Sequence, residues 1–91
     1  MVTIESKVAA QEGVLFQEVS GEAVLLNQAT GKYFSLDETG TRMWNALIEK
    51  GRLEEALKFM VEEFDASEDQ IREDLLELVN KLEEHGLLRV D

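Results

Sequence analysis

The chain has 91 residues, about the length of one small domain, and its 44% hydrophobic and 32% charged content fits neither a disordered nor a membrane-spanning chain. Nine Lys and Arg stand against 20 Asp and Glu, a formal charge of -11 that weighs against binding nucleic-acid phosphates or an anionic membrane surface. Zero Cys excludes disulfides, thiolate metal sites and Cys nucleophiles, and one His excludes a multi-histidine metal site within one chain.

Residues 1–13 have weak periodicity and fit either a frayed N-terminal arm or an extra edge strand. The main domain is expected over 14–91. Val14–Val19 is short, apolar and rich in strand formers, and Ser20-Gly21-Glu22 is a turn signal. Ala23–Asn27 is a second strand, whose consecutive apolar residues predict at least partial cover on both faces. Gln28–Gly31 fits a hairpin loop, and Lys32–Leu36 a third strand with Phe34 and Leu36 on one face and Tyr33 and Ser35 on the other. The hydrophobic period then changes from two to 3.6. Asp37 is a good N-cap for a helix over Glu38–Lys50, buried through Met43, Trp44, Leu47 and Ile48 and ended by Gly51. Gly40 in its first turn predicts a close approach of the sheet. A second helix is expected over Leu53–Phe64. Ser67 and Gln70 form a capping box that opens a third, which runs to about His85 and stops at Gly86. Leu87, Leu88 and Val90 form an apolar tail. The expected fold is α+β and winged-helix-like: a three-stranded antiparallel sheet followed by three helices.

The third helix is the most informative. Ile71, Leu75, Leu78 and Leu82 form one stripe at helical spacing, enough to dock the helix. Leu76 and Val79 lie with Arg72 roughly 100° to one side. The apolar face is wider than docking requires. Either the helix is more enveloped, or Arg72, Leu76 and Val79 wall a groove whose other side is an open sheet edge. Such an edge offers free N–H and C=O groups to an incoming strand.

Catalytic chemistry is scarce. His85 fits a helix end, Asp37 a cap, Trp44 a core anchor, and the acidic pairs along the helices solvated faces. Gly-rich phosphate loops and Asp-rich calcium loops are both missing from the sequence. No apolar run reaches the ~20 residues of a membrane span, and none looks like a signal segment. The expectation is a soluble cytoplasmic protein without cofactor or metal.

The run AVLLNQATGKYFSLDETGTRMWNAL at 23–47 resembles the hairpin, cap and Trp-bearing helix of the pyrroloquinoline quinone biosynthesis protein D (PqqD) family. So does IREDLLELVNKLEEHGLL at 71–88. The resemblance covers about Val14–Leu88. It implies a non-enzymatic chaperone that binds the leader of a ribosomally made precursor peptide and presents it to a modifying enzyme, often a radical S-adenosylmethionine enzyme. The leader would add as a strand beside the third strand and pack on the third helix. By position this implicates Lys32, Tyr33, Phe34, Ser35 and Leu36 for strand pairing. Leu75, Leu76 and Val79 would receive apolar leader side chains, and Lys32 and Arg72 would pair with leader carboxylates. The loop at 27–31 and the Tyr33-Phe34 pair look more like the broad PqqD-like group, including lasso-peptide pathways, than the dedicated quinone-cofactor proteins.

Two other classes fit the same architecture. A winged-helix DNA-binding protein would need its third helix in the major groove, where seven carboxylates against Arg72 and Lys81 are unfavourable. An interaction module unrelated to precursor peptides would pair its free edge with another copy, as a homodimer, or exchange residues 1–13 between subunits.

Overall fold

The computed structural model describes residues 2–91 as β1 (Val8–Ala10), β2 (Val14–Val19), β3 (Glu22–Asn27), β4 (Tyr33–Leu36), α1 (Glu38–Lys50), α2 (Leu53–Glu63), α3 (Glu68–Glu84) and β5 (Leu88–Val90). β2, β3 and β4 form the expected antiparallel meander in that order. Val19 pairs with Glu22, so Ser20 and Gly21 make a two-residue turn with φ of 54° and 84°. Two positive φ values are what a tight hairpin with the natural strand twist requires.

The register sorts the side chains into two faces. Phe16, Leu25 and Phe34 form one row across the inner face, with Glu18, Ala23 and Leu36 in the next. Leu25, Ala23 and Leu36 are buried, and Phe34 is half-buried. α1 packs on this face through Thr41, Met43, Trp44, Ala46 and Leu47. Trp44 stacks on Phe16 with ring centroids 6.3 Å apart. Ile48, expected in this stripe, is exposed, and Ala46 is buried instead. The outer face carries Leu15, Leu26 and Tyr33 in one row and Gln17, Val24 and Ser35 in the next. Leu15, Val24 and Tyr33 are exposed and Leu26 is half-buried, so on the outer face of β3 the partial cover predicted reaches Leu26 but not Val24. Apolar strand residues satisfy β-propensity whether or not a layer lies over them.

Helix ends follow local chemistry. The Asp37 carboxylate accepts from the Gly40 N–H at 2.7 Å. A Cβ on Gly40 would stand 3.2 Å from both Leu36 Cδ2 and Asp37 Oδ1, so the expected close approach comes from the end of β4 and the cap itself. α2 stops one residue before the sequence suggests, and the Arg42 guanidinium lies 4.4 Å over the Phe64 ring. Ser67 Oγ accepts from the Gln70 N–H, but the Gln70 side chain donates to Asp74 and not back to the cap, so only half the capping box forms.

α3 is buried through Ile71, Leu75, Val79 and Leu82. Val79 thus takes the place expected for Leu78, which is half-buried. At about 100° per residue, Leu78 and Val79 flank Leu75 by about 60° and about 40° on opposite sides, so periodicity alone hardly separates them.

Of the two readings for residues 1–13, a strand forms at Val8–Ala10. It pairs antiparallel with β5, Val8 opposite Val90, in a separate ribbon and not on the meander. Val8 and Leu88 are buried in the common core. The Val8 N–H also donates to the Gly51 carbonyl at the α1–α2 corner. This strand therefore belongs to the same packed body as the residues beyond Val14, and is no detached arm.

Asn27 is a buried polar residue, 7% exposed. Its Nδ2 donates to the Gly86 carbonyl at 2.8 Å, and its Oδ1 accepts from the Ala29 and Thr30 N–H groups. One side chain thus shapes the β3–β4 loop and ties it to the end of α3. Asn27→Ala removes all three bonds and is expected to cost about 1–3 kcal/mol in urea unfolding. Asn27→Asp is expected to keep the loop bonds but to lose stability as well, because a carboxylate cannot donate to Gly86.

Candidate functional site

β4 is the last strand of the meander, and its far side is unpaired among the described residues. The Asn27 N–H donates to the Lys32 carbonyl at 2.9 Å, which sets the phase of the β3–β4 ladder. Antiparallel pairs alternate between hydrogen-bonded and non-bonded. The Lys32 carbonyl and the backbone groups of Phe34 and Leu36 therefore point toward β3, while the Lys32 N–H donates to Thr30 Oγ1. Tyr33 and Ser35 point theirs to the open edge.

Beside this edge lies a cleft of about 560 Å³. Phe34, Ser35 and Leu36 of β4 form one wall, with Asp37 and Gly40 from the start of α1. Asp74, Glu77, Leu78 and Lys81 of α3 form the other, and Glu22 closes one end. α3 runs antiparallel to β4. At its C-terminal end, the His85 ring meets Phe34 in a T-shaped contact with centroids 5.1 Å apart. His85 Nδ1 lies 2.7 Å from the Lys81 carbonyl and carries the hydrogen in that contact, because a carbonyl can only accept.

The cleft is acidic. It holds Glu22, Asp37, Asp74 and Glu77 against Lys81 alone. Lys81 Nζ lies 3.2 Å from Glu77. Among the described residues, no cation stands within ion-pair distance of Glu22, Asp37 or Asp74. Phe34 and Leu78 give the cleft its apolar surface, and both are half-buried.

The sequence-derived site divides. Phe34, Ser35 and Leu36 line the cleft, and Tyr33 lies on the same edge strand with its ring on the outer face, 71% exposed. Lys32 sits just before β4 and does not line the cleft. On α3, Leu75 and Val79 are both 0% exposed and serve the core. Arg72 and Leu76 lie on the flank of the core stripe away from Leu78 and are not part of the cleft wall. The Arg72 guanidinium is engaged by Glu68 at 3.7 Å and Asp69 at 3.9 Å and does not offset the acidic cleft. The α3 residues that line the cleft are Asp74, Glu77, Leu78 and Lys81. Their spacing of three and four was visible in the sequence, but periodicity does not say which flank of a docked helix faces a strand.

An open strand edge beside a half-buried helix flank, on a winged-helix-like frame, defines a class of small α+β module suited to accept a further strand. The profile of the family described as Coenzyme PQQ synthesis protein D (PqqD) matches residues 22–88, and the chain belongs to that family. Among solved structures, TbiB1 in complex with the TbiA(beta) leader peptide is similar, with a TM-score of 0.83 and 31% identity, covering 89% of this chain and 94% of that one. A lasso peptide synthetase B1 complexed with the leader peptide superposes with a TM-score of 0.81 over 91% of this chain and 98% of that one; at 19% identity it shows likeness of fold alone. No curated protein matches the chain.

The phase of the open edge can be checked by amide hydrogen exchange. Phe34 and Leu36 are expected to exchange slowly, and Tyr33 and Ser35 at rates near those of exposed backbone. The opposite pattern would place the free backbone groups on the wrong residues.

Proposed function

We propose that this protein binds the leader segment of a ribosomally made precursor peptide by strand addition at β4 and presents it to a modifying enzyme, taking no catalytic part itself. The observation that carries this reading is the open edge at Tyr33 and Ser35 beside the cleft against α3. Family membership and the leader-bound TbiB1 structure support it.

The division of labour follows from the geometry. The backbone groups of Tyr33 and Ser35 pair with any extended peptide and supply affinity with little sequence preference. Alternate side chains of an added strand point to opposite faces of the sheet. Those on the inner side enter the cleft, where Phe34 and Leu78 receive an apolar group. Those on the outer side lie beside Tyr33 and remain accessible to a further protein. A radical S-adenosylmethionine enzyme is one enzyme type that such a presented leader would serve.

The test is isothermal titration of the protein with leader peptides encoded beside its gene, paired with amide exchange of the complex. Binding is expected to protect the Tyr33 and Ser35 amides. Ser35→Pro removes an edge N–H that pairs with nothing inside the sheet, a place where strands tolerate proline. It is expected to keep the folded circular dichroism spectrum and to abolish binding. Leu78→Asp is expected to weaken binding by about tenfold or more, from lost apolar burial of about 1.5–3 kcal/mol. Leu76→Asp, off the cleft, is expected to change it by less than about threefold, within the usual range for surface substitutions. Native affinity in a folded Ser35→Pro variant would rule out strand addition at this edge.

A further inference from the structure

The cleft is polarised along its length. Ala23 pairs with Leu36, so the next step of the register sets Glu22 opposite Asp37. α3 runs antiparallel to β4, with His85 against Phe34, so Asp74 lies toward the Leu36 end of the cleft. Lys81, two helical turns beyond Asp74, lies toward the Phe34 end and is held by Glu77. Glu22, Asp37 and Asp74 have no cation within ion-pair distance among the described residues, although Asp37 accepts from the Gly40 N–H and Asp74 from the Gln70 side chain, and their negative charge is thereby gathered where β4 ends.

We propose that the occupant of this cleft carries a Lys or Arg side chain where its strand passes Leu36, and that Glu22, Asp37 and Asp74 select it. This rests on the leader-binding reading and adds the charge of the leader to it. The physical argument is desolvation. An added strand excludes water from the cleft, which strengthens the mutual repulsion of the three carboxylates unless the strand brings a cation. A long, flexible Lys or Arg suits carboxylates that are spread along a wall. Among the described residues, no three acidic or histidine groups converge as metal ligands would, so an inorganic ion is the poorer fit. A second copy of the chain is also the poorer fit, because it would bring another -11 of formal charge to an acidic cleft.

The experiment uses fluorescein-labelled leader peptides encoded beside the gene, each also made with every Lys and Arg replaced singly by Gln and by Glu. Anisotropy is measured against the native protein, Glu22→Gln/Asp74→Asn and Glu22→Lys/Asp74→Lys. Asp37 is left intact because it caps α1. Both altered residues are solvent-exposed, so the variants are expected to fold. Binding to the native protein is expected to weaken by about tenfold between about 50 and about 300 mM NaCl. One Lys or Arg is expected to account for most of the loss on replacement. The peptide bearing Glu there is expected to bind Glu22→Lys/Asp74→Lys more tightly than it binds the native protein. If a peptide protects the Tyr33 and Ser35 amides but its affinity ignores salt and both sets of charge changes, the cation is wrong and leader binding stands. If no peptide binds the native protein, leader binding and the cation fall together.

Discussion

The meander buries only one of its faces, and most of the architecture depends on that. Leu25, fully buried at the centre of the inner face, sits in a row with Phe16 and Phe34, and α1 covers that row through Trp44. A single helix layer on one face is enough to remove these side chains from water. Neither a second layer nor a fourth strand is needed for the core, so the outer face and the far edge of β4 are both left open. The edge normally requires protection against unwanted pairing. Here β4 is only four residues long and flanked by carboxylates, which limits pairing with other acidic chains while leaving its backbone groups accessible.

α3 stands beside β4 without closing onto it. Its buried stripe of Ile71, Leu75, Val79 and Leu82 faces the common core, and the neighbouring flank with Leu78 is left to line the cleft. The distance between helix and strand is held at the C-terminal end of α3. Asn27 ties the β3–β4 loop to the Gly86 carbonyl, and His85 braces Phe34. The β1–β5 ribbon then anchors the chain just past α3. A cleft whose width is held by directional polar contacts keeps its shape better than one held by apolar packing alone, because hydrogen bonds restrict angle as well as distance.

Charge divides the surface by task. The outward faces of α2 and α3 are acidic and laced with exposed pairs such as Glu54–Lys58 and Glu77–Lys81, which add little stability. The exposed face of the meander is nearly uncharged, with Leu15, Val24 and Tyr33 outward. The cleft lies where these two surfaces meet. A strand lodged there would touch the acidic helix with one set of side chains and extend the apolar face with the other.

The sequence by itself determined the order of the three meander strands and the three helices, their boundaries to within about one residue, and the caps at Asp37 and Ser67, because these depend on neighbours within a few residues. It also determined that a meander must leave an edge and that the third helix is wider than its docking stripe. Its family resemblance pointed to the third strand, which is one of the two end strands of the meander, β2 being the other. Only the tertiary structure decided which flank of α3 meets that edge. Leu78 and Val79 are both apolar and close in helical phase, and the contacts of α2 and β5 with α3 settle its rotation. That rotation sends Val79 and Leu75 inward, keeps Arg72 and Leu76 away from β4, and brings Asp74 and Lys81 to it. The pairing of Val8–Ala10 with the tail was equally invisible, since the two strands are about 80 residues apart in sequence and neither has a strong pattern alone. Local propensity is written residue by residue, whereas the rotation of a helix and the partner of a short strand are properties of the packed whole.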